Sequence, residues 1–220
     1  MSILRPEAGI PPEGEPVVGE AAGSGGAGGG LGKFAVVALI ASAGGLDALS
    51  RVLARLPADL PAALLVPLHQ DPFRASELAT ILARRTALEV RVAADGAAME
   101  AGLVLVVPPG HHLLVTSPAR VALIDTGALP PPRPSADLLL ATLAVICGPR
   151  ALAVILTGTG HDGQSGVRAI THRGGAVIAQ DEPSSAFFAM PSAAIATGQV
   201  SQILALDDIA AAITAHTMPA

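Results

Sequence analysis

From Phe34 onward the chain alternates between short β-branched apolar runs and longer segments with Ala/Leu periodicity, and few folds accommodate that alternation. A run such as "FAVVALI" or "ALAVILT" has no polar face, so as a strand it must be covered on both sides. Strands of that kind, separated by helix-length segments, describe a parallel sheet with helices on both faces. The pattern places strands at 34–40, 62–68, 88–93, 103–108, 121–124, 151–157, 176–180 and 201–206. It places helices at 46–56, 76–85, 135–147, 164–173, 191–197 and 207–216. Ser135 and Asp207 each stand directly before an apolar-periodic run, as N-caps do. The stretch 103–124 reads instead as a hairpin turning at "PPGHH". The expected fold is therefore a doubly wound α/β domain: a mostly parallel sheet, helices on both faces and one antiparallel hairpin.

Composition supports a large aliphatic core and excludes several classes. Of the 220 residues 51% are apolar and 14% charged, and the only aromatic side chains are four Phe. The mean hydropathy of +0.57 raises the question of a membrane span. The longest unbroken apolar run, 34–41, falls far short of the ~18–20 residues a span needs, so no membrane insertion is expected. The one cysteine, Cys147, permits neither an intrachain disulfide nor a cysteine zinc site. No secretory pattern opens the chain, and the cytoplasm is the expected location. The net charge is −5 and the arginines are scattered, which argues against a nucleic-acid partner. Residues 1–32 run from Pro/Glu-rich to Gly/Ala-rich and read as a disordered tail, leaving 33–220 as the domain. Within the tail "GAGGGLGKF" imitates a phosphate loop. It lacks the required spacing and precedes a strand instead of following one.

Chemistry in a parallel α/β sheet gathers beyond the carboxyl ends of its strands. Past 34–40 stands Ser42; past 62–68, His69; past 151–157, "GTGHDG" with His161 and Asp162; past 176–180, Asp181 and Glu182. Parallel connections bring all of these to one edge, where Ser, His and Asp are the parts of a nucleophile–base–orienter relay. Each has an ordinary alternative. Ser42 could be a turn residue or helix cap, His69 a polar strand end, Asp162 a helix cap. Gly44 and Gly45 allow close backbone approach, and amides in 158–160 could face a developing oxyanion. A rival reading uses the same loop: Gly158 to Gly163 spell G-x-G-x-x-G, and Asp181 lies 18 residues further on, close to a dinucleotide fingerprint. That motif usually opens the first βαβ unit, and it would leave Ser42 and His69 without a role. "GHH" at 110–112 reads as a turn and not as a metal site, because adjacent residues of extended chain face opposite ways.

Six blocks now stand together: "FAVVALIASAGGLDAL", "LLVPLHQDP", "LVLVVPPGHHLLV", "PPPRPSADLLLATLA", "VILTGTGHDGQSGVRAITHRGG" and "AQDEPSSAFFAMPSAAIATG". In order and approximate spacing they resemble the catalytic domain of the CheB-type protein-glutamate methylesterases of bacterial chemotaxis. The resemblance covers nearly all of the chain from Phe34. It implies a serine hydrolase needing no cofactor or metal, with Ser42 as nucleophile, His69 as base and Asp162 as its orienting carboxylate. Backbone N–H groups of Ala43, Thr159 and Gly160 would hold the oxyanion. The implied substrates are γ-glutamyl methyl esters, and often glutamines, on the cytoplasmic segments of chemoreceptors. The implied further partners are a methyltransferase or a receiver protein acting in trans.

The sequence also departs from the family pattern. Ile40 takes a position, two before the nucleophile, that is usually small, and so bears on the exposure of the serine. Ala43 stands where many relatives have Thr, and Thr159 where many have Met. Many relatives carry a receiver domain ahead of the hydrolase, for which 32 residues are too few. A catalytically silent receptor-binding relative and the dinucleotide-binding oxidoreductase remain the alternatives at this stage.

Overall fold

The carboxyl edge anticipated above exists. A seven-stranded sheet runs in the order 89–92, 103–106, 62–66, 35–40, 151–155, 176–180 and 202–204, and every neighbouring pair is parallel. The computed structural model describes residues 34–68, 76–116, 120–125 and 133–218, all within one unit spanning 31–220. The strands are β1 (Ala35–Ile40), β2 (Ala62–Val66), β3 (Glu89–Val92), β4 (Leu103–Val106), β7 (Ala151–Ile155), β8 (Ala176–Gln180) and β9 (Gln202–Leu204). Two further strands, β5 (His112–Thr116) and β6 (Arg120–Ile124), form a separate antiparallel pair. Helices α1 (Gly45–Leu53), α2 (Leu78–Ala83) and α6 (Leu206–Thr217) contribute to the core on one face. On the other face lie α3 (Ala136–Cys147), α4 (Gln164–His172) and α5 (Ala189–Ile195), together with the β5–β6 pair. Among the described residues no helix is long and apolar enough to cross a membrane.

Burial follows the sequence pattern. The strands β2, β4 and β7 are buried at every position, while the edge strands β3 and β9 are largely open. This is how strands apolar on both faces separate from those with a polar side. Two expectations fail. The stretch 103–124 is not one hairpin: β4 pairs in parallel with β2 and β3, and the antiparallel excursion is β5 with β6. The difference is visible in burial, complete along β4 but alternating toward the end of β5. Asp207 does not cap α6 either. Ala205 holds that position, and Asp207 sits in the first turn, bonded to Arg51 and Arg55.

The strand order locates the site. From β1 the chain builds outward on one side through β2, then returns through α3 to lay β7 on the other side of β1. The carboxyl ends of β1 and β7 thus flank a topological switch point, where the connections diverge and leave a crevice. Ser42 follows β1 and the loop 156–163 follows β7.

Candidate active site

The turn after β1 is built by glycines and by its neighbours across the crevice. Ala41 extends β1 by one bridge to Leu68, after which the chain turns. The Ser42 carbonyl accepts the Gly45 N–H at 2.8 Å. Gly44 takes the left-handed conformation with φ 75°, which a side-chain-bearing residue adopts only at a cost. Gly45 has no room for a side chain: a Cβ there would lie 2.7 Å from both Ala41 Cβ and Leu68 Cδ1. Gly44 is the N-cap of α1, and being a glycine it offers no side chain for a cap. The ordinary reading of Ser42 as a cap therefore does not hold. Its half-buried side chain lines a groove of about 460 Å³ together with Leu46, Leu68, Ile81 and Arg85. Ile40, the departure that bore on this turn, is 1% exposed and packs in the core on the α3 face. It leaves the serine in the groove.

In a trans peptide the C=O and N–H point in opposite directions. Because Gly45 engages the Ser42 carbonyl, the Ala43 N–H points away from the start of α1. No described residue accepts from the amides of Ala43, Thr159 or Gly160, and the last two residues are exposed. The Gly158 amide is different. It donates to the Phe187 carbonyl at 2.9 Å and so is spent on structure, which removes it from the 158–160 amides that could face the site.

Asp162 is fixed by a helix other than the one it precedes. Its Oδ2 accepts the Ala136 N–H at 2.7 Å and its Oδ1 the Asp137 N–H at 3.1 Å. The Ser135 hydroxyl reaches Oδ1 at 3.3 Å. The carboxylate thus sits at the N-terminus of α3, where free amides and the helix dipole favour negative charge. Ser135 is the N-cap expected from sequence, its Oγ accepting from Leu138 N–H. The Ser135 amide donates in turn to Nδ1 of His112 at 3.0 Å, and both residues are buried. An imidazole accepting at Nδ1 is neutral with its proton on Nε2. His112 opens β5, so of the "GHH" stretch only Gly110 and His111 lie in the turn. The brace is reciprocal, since Asp137 accepts the Gly166 N–H of α4 at 2.8 Å. A carboxylate of this chain thus occupies one amide in the first turn of that helix, the end at which a dinucleotide phosphate would bind. Asp181 is likewise engaged locally, accepting the Ser184 N–H at 3.1 Å.

His69 lies outside the described residues. The last described residue before it, Leu68, is the bridge partner of Ala41, which precedes Ser42. Sequence reasoning did not single out Thr157, Gln180 or the role of His112. Thr157 and Gln180 end the otherwise apolar runs 151–157 and 176–180, and both are almost completely buried. That is the sign by which they could have been found. Among the described residues no three His, Cys, Asp or Glu side chains converge as a metal site.

A family model described as CheB methylesterase matches residues 37–213. The protein-glutamate methylesterase/protein-glutamine glutaminase of Moorella thermoacetica is 42% identical over 184 residues, covering 82% of this chain and 43% of that protein. The protein-glutamate methylesterase FrzG of Myxococcus xanthus is 40% identical over 180 residues, covering 82% of this chain and 54% of that protein. The crystal structure of the Thermotoga maritima CheB methylesterase catalytic domain superposes with a TM-score of 0.78 at 30% identity. It covers 83% of this chain and 98% of that one. The chain spans about half the length of the curated relatives it matches.

Proposed function

The chain belongs to the CheB methylesterase family, and from that premise we propose that it is a protein-glutamate methylesterase working through Ser42, His69 and Asp162. The observation that carries the reading is Ser42 itself: Gly44 and not Ser42 is the N-cap of α1, and Ser42 lines a groove just past the carboxyl end of β1. The relatives' names add glutaminase activity, so hydrolysis of glutamine side chains belongs to the same proposal. The substrates are methylated or amidated side chains on the cytoplasmic segments of chemoreceptors or related sensory proteins. A methyltransferase or a receiver protein in trans would be the further partner, and the site of action the cytoplasm.

The chemistry follows the serine-hydrolase course. His69 takes the proton from Ser42 Oγ as the oxygen attacks the ester carbonyl, and Asp162 steadies the imidazolium. The carbonyl oxygen gains charge, which the amides of Ala43, Thr159 and Gly160 receive; one such donor is worth ~3 kcal/mol in the transition state. The carbonyl–methoxy bond breaks, and methanol leaves with the proton held by His69. Water, deprotonated by His69, then cleaves the glutamyl–serine ester and restores Ser42 with a free glutamate. The hydrogen bonds that α3 gives Asp162 allow it to keep one orientation through both steps.

The test is methanol release from a methylated receptor preparation by the wild type, Ser42→Ala, His69→Ala and Asp162→Ala. Release by the wild type that Ser42→Ala and His69→Ala abolish, and Asp162→Ala reduces by at least ~10³-fold, supports the reading. Release that survives Ser42→Ala would overturn it.

A further inference from the structure

The turn that carries Ser42 is held from across the crevice by Thr157, which is 2% exposed. All of its polar atoms are engaged. Its carbonyl accepts the Ser42 N–H at 3.1 Å, and its N–H donates to Gln180 Oε1 at 2.8 Å. Its hydroxyl accepts the Phe187 N–H at 2.9 Å, and lies 3.0 Å from the Ala43 carbonyl and 3.2 Å from that of Phe187. A hydroxyl has one proton to give. The Phe187 carbonyl already takes the Gly158 N–H at 2.9 Å, whereas the Ala43 carbonyl has no other donor among the described residues. The proton therefore belongs to Ala43.

The two peptides that follow Ser42 are then pinned from opposite sides. The Gly45 amide holds the Ser42 carbonyl, and the Thr157 hydroxyl holds the Ala43 carbonyl. Gln180 is fully buried and anchors Thr157 while its own amide donates to the Ser184 carbonyl at 2.7 Å. The turn also meets the loop on the other side of the hydroxyl: a Cβ on Gly44 would lie 2.9 Å from Ala186 Cβ and 3.3 Å from Thr157 Oγ1. We propose that Thr157 is a positioning residue for hydrolysis, its hydroxyl setting the Ser42–Ala43 turn so that Ser42 Oγ and the Ala43 N–H face the same carbonyl carbon and oxygen. The inference rests on the reading of Ser42 as nucleophile. It touches no substrate atom, so its effect falls on the chemical step and not on binding.

The experiment compares the wild type with Thr157→Val, which keeps the shape and loses the hydroxyl, and with Thr157→Ser, which keeps the hydroxyl. Thr157→Ala, also without the hydroxyl, takes the place of the valine variant if that variant does not fold. Circular dichroism establishes folding. Methanol release gives kcat and KM, and the rate of inactivation by a fluorophosphonate reports the competence of Ser42 without a receptor. The expected result for Thr157→Val is a loss of about 10- to 100-fold in kcat and in inactivation rate, as misplacement of about 1 Å produces, with KM little changed. Thr157→Ser should recover activity to within about threefold of the wild type. A folded Thr157→Val that is as active as the wild type overturns the inference and leaves the nucleophile reading standing. So does equal impairment of the valine and serine variants, since the hydroxyl would not then be what acts. A wild type that neither releases methanol nor reacts with fluorophosphonate overturns both.

Discussion

Carboxylates join helices on each of the sheet's two faces, and they do so by different chemistry on the two. On one face Asp137, in the first turn of α3, accepts a backbone amide of α4, while Asp162, just ahead of α4, accepts two from α3. On the other face Asp207 of α6 pairs with Arg51 of α1 and with Arg55 just beyond it. The amide donors belong to rigid helix ends and have no freedom to lose. The arginines are long side chains about half exposed, which lose rotamer freedom and meet competing water. The first arrangement can hold a carboxylate to one orientation; the second ties two surfaces loosely. Asp162 has the first kind, as the proposed role of orienting His69 requires.

The sharpest way to break that comparison is at the α3–α4 contact itself. A Cβ on Gly166 would lie 2.5 Å from Leu140 Cβ, an atom fixed to backbone that cannot yield. Gly166→Ala should therefore separate the helices, costing about 3 kcal/mol and lowering Tm by roughly 6–12 °C for a domain of this size. Melting by circular dichroism measures it. Asp137→Ala leaves the Gly166 N–H without its carboxylate and should cost about 2 kcal/mol, seen as a lower urea midpoint with an unchanged slope. Ser135→Ala removes the α3 cap and one contact to Asp162, for about 1 kcal/mol, and should lower kcat while leaving KM near its original value.

Asp207→Asn should have the smallest effect, a slight fall in Tm that salt removes. The hydrogen bond from Arg51 holds the Asp207 carboxyl below its ordinary value. The tie is thus fully present above the unfolded carboxylate value of about 3.9 and is lost as pH falls through the lower folded value. Wild type and variant should differ near neutrality and converge in acid. Equal losses from Asp137→Ala and Asp207→Asn would show that the two faces do not differ in this way.

The same contrast separates what could be read from the sequence and what could not. The placement of Ser42 and Asp162 is legible because the alternation of apolar strands and helices defines a carboxyl edge, and both residues stand one or two positions or a short loop beyond it. The partner of Asp162 was not legible. The N-terminus of α3 lies 26 residues before it in the chain, and only the packing of α3 on α4 brings them together. From sequence β4 reads as part of a hairpin because an apolar run does not announce its partner; its pairing with β2 spans forty residues and depends on the intervening α2 and β3. Thr157 and Gln180 were visible as polar ends of apolar strands, but their partners in the turn at 42–43 and the loop at 184–187 are set by the sheet order. Asp207 looked like a cap by local pattern, and the arginines of α1 draw its side chain away.

The central claim is that Ser42, on the turn after β1, is the nucleophile. Its most direct test is peptide mapping by mass spectrometry after the folded protein has reacted with a fluorophosphonate. The account predicts one stoichiometric adduct on the peptide carrying Ser42, and none in His69→Ala. An adduct on another serine, or none on the folded wild type, would contradict it.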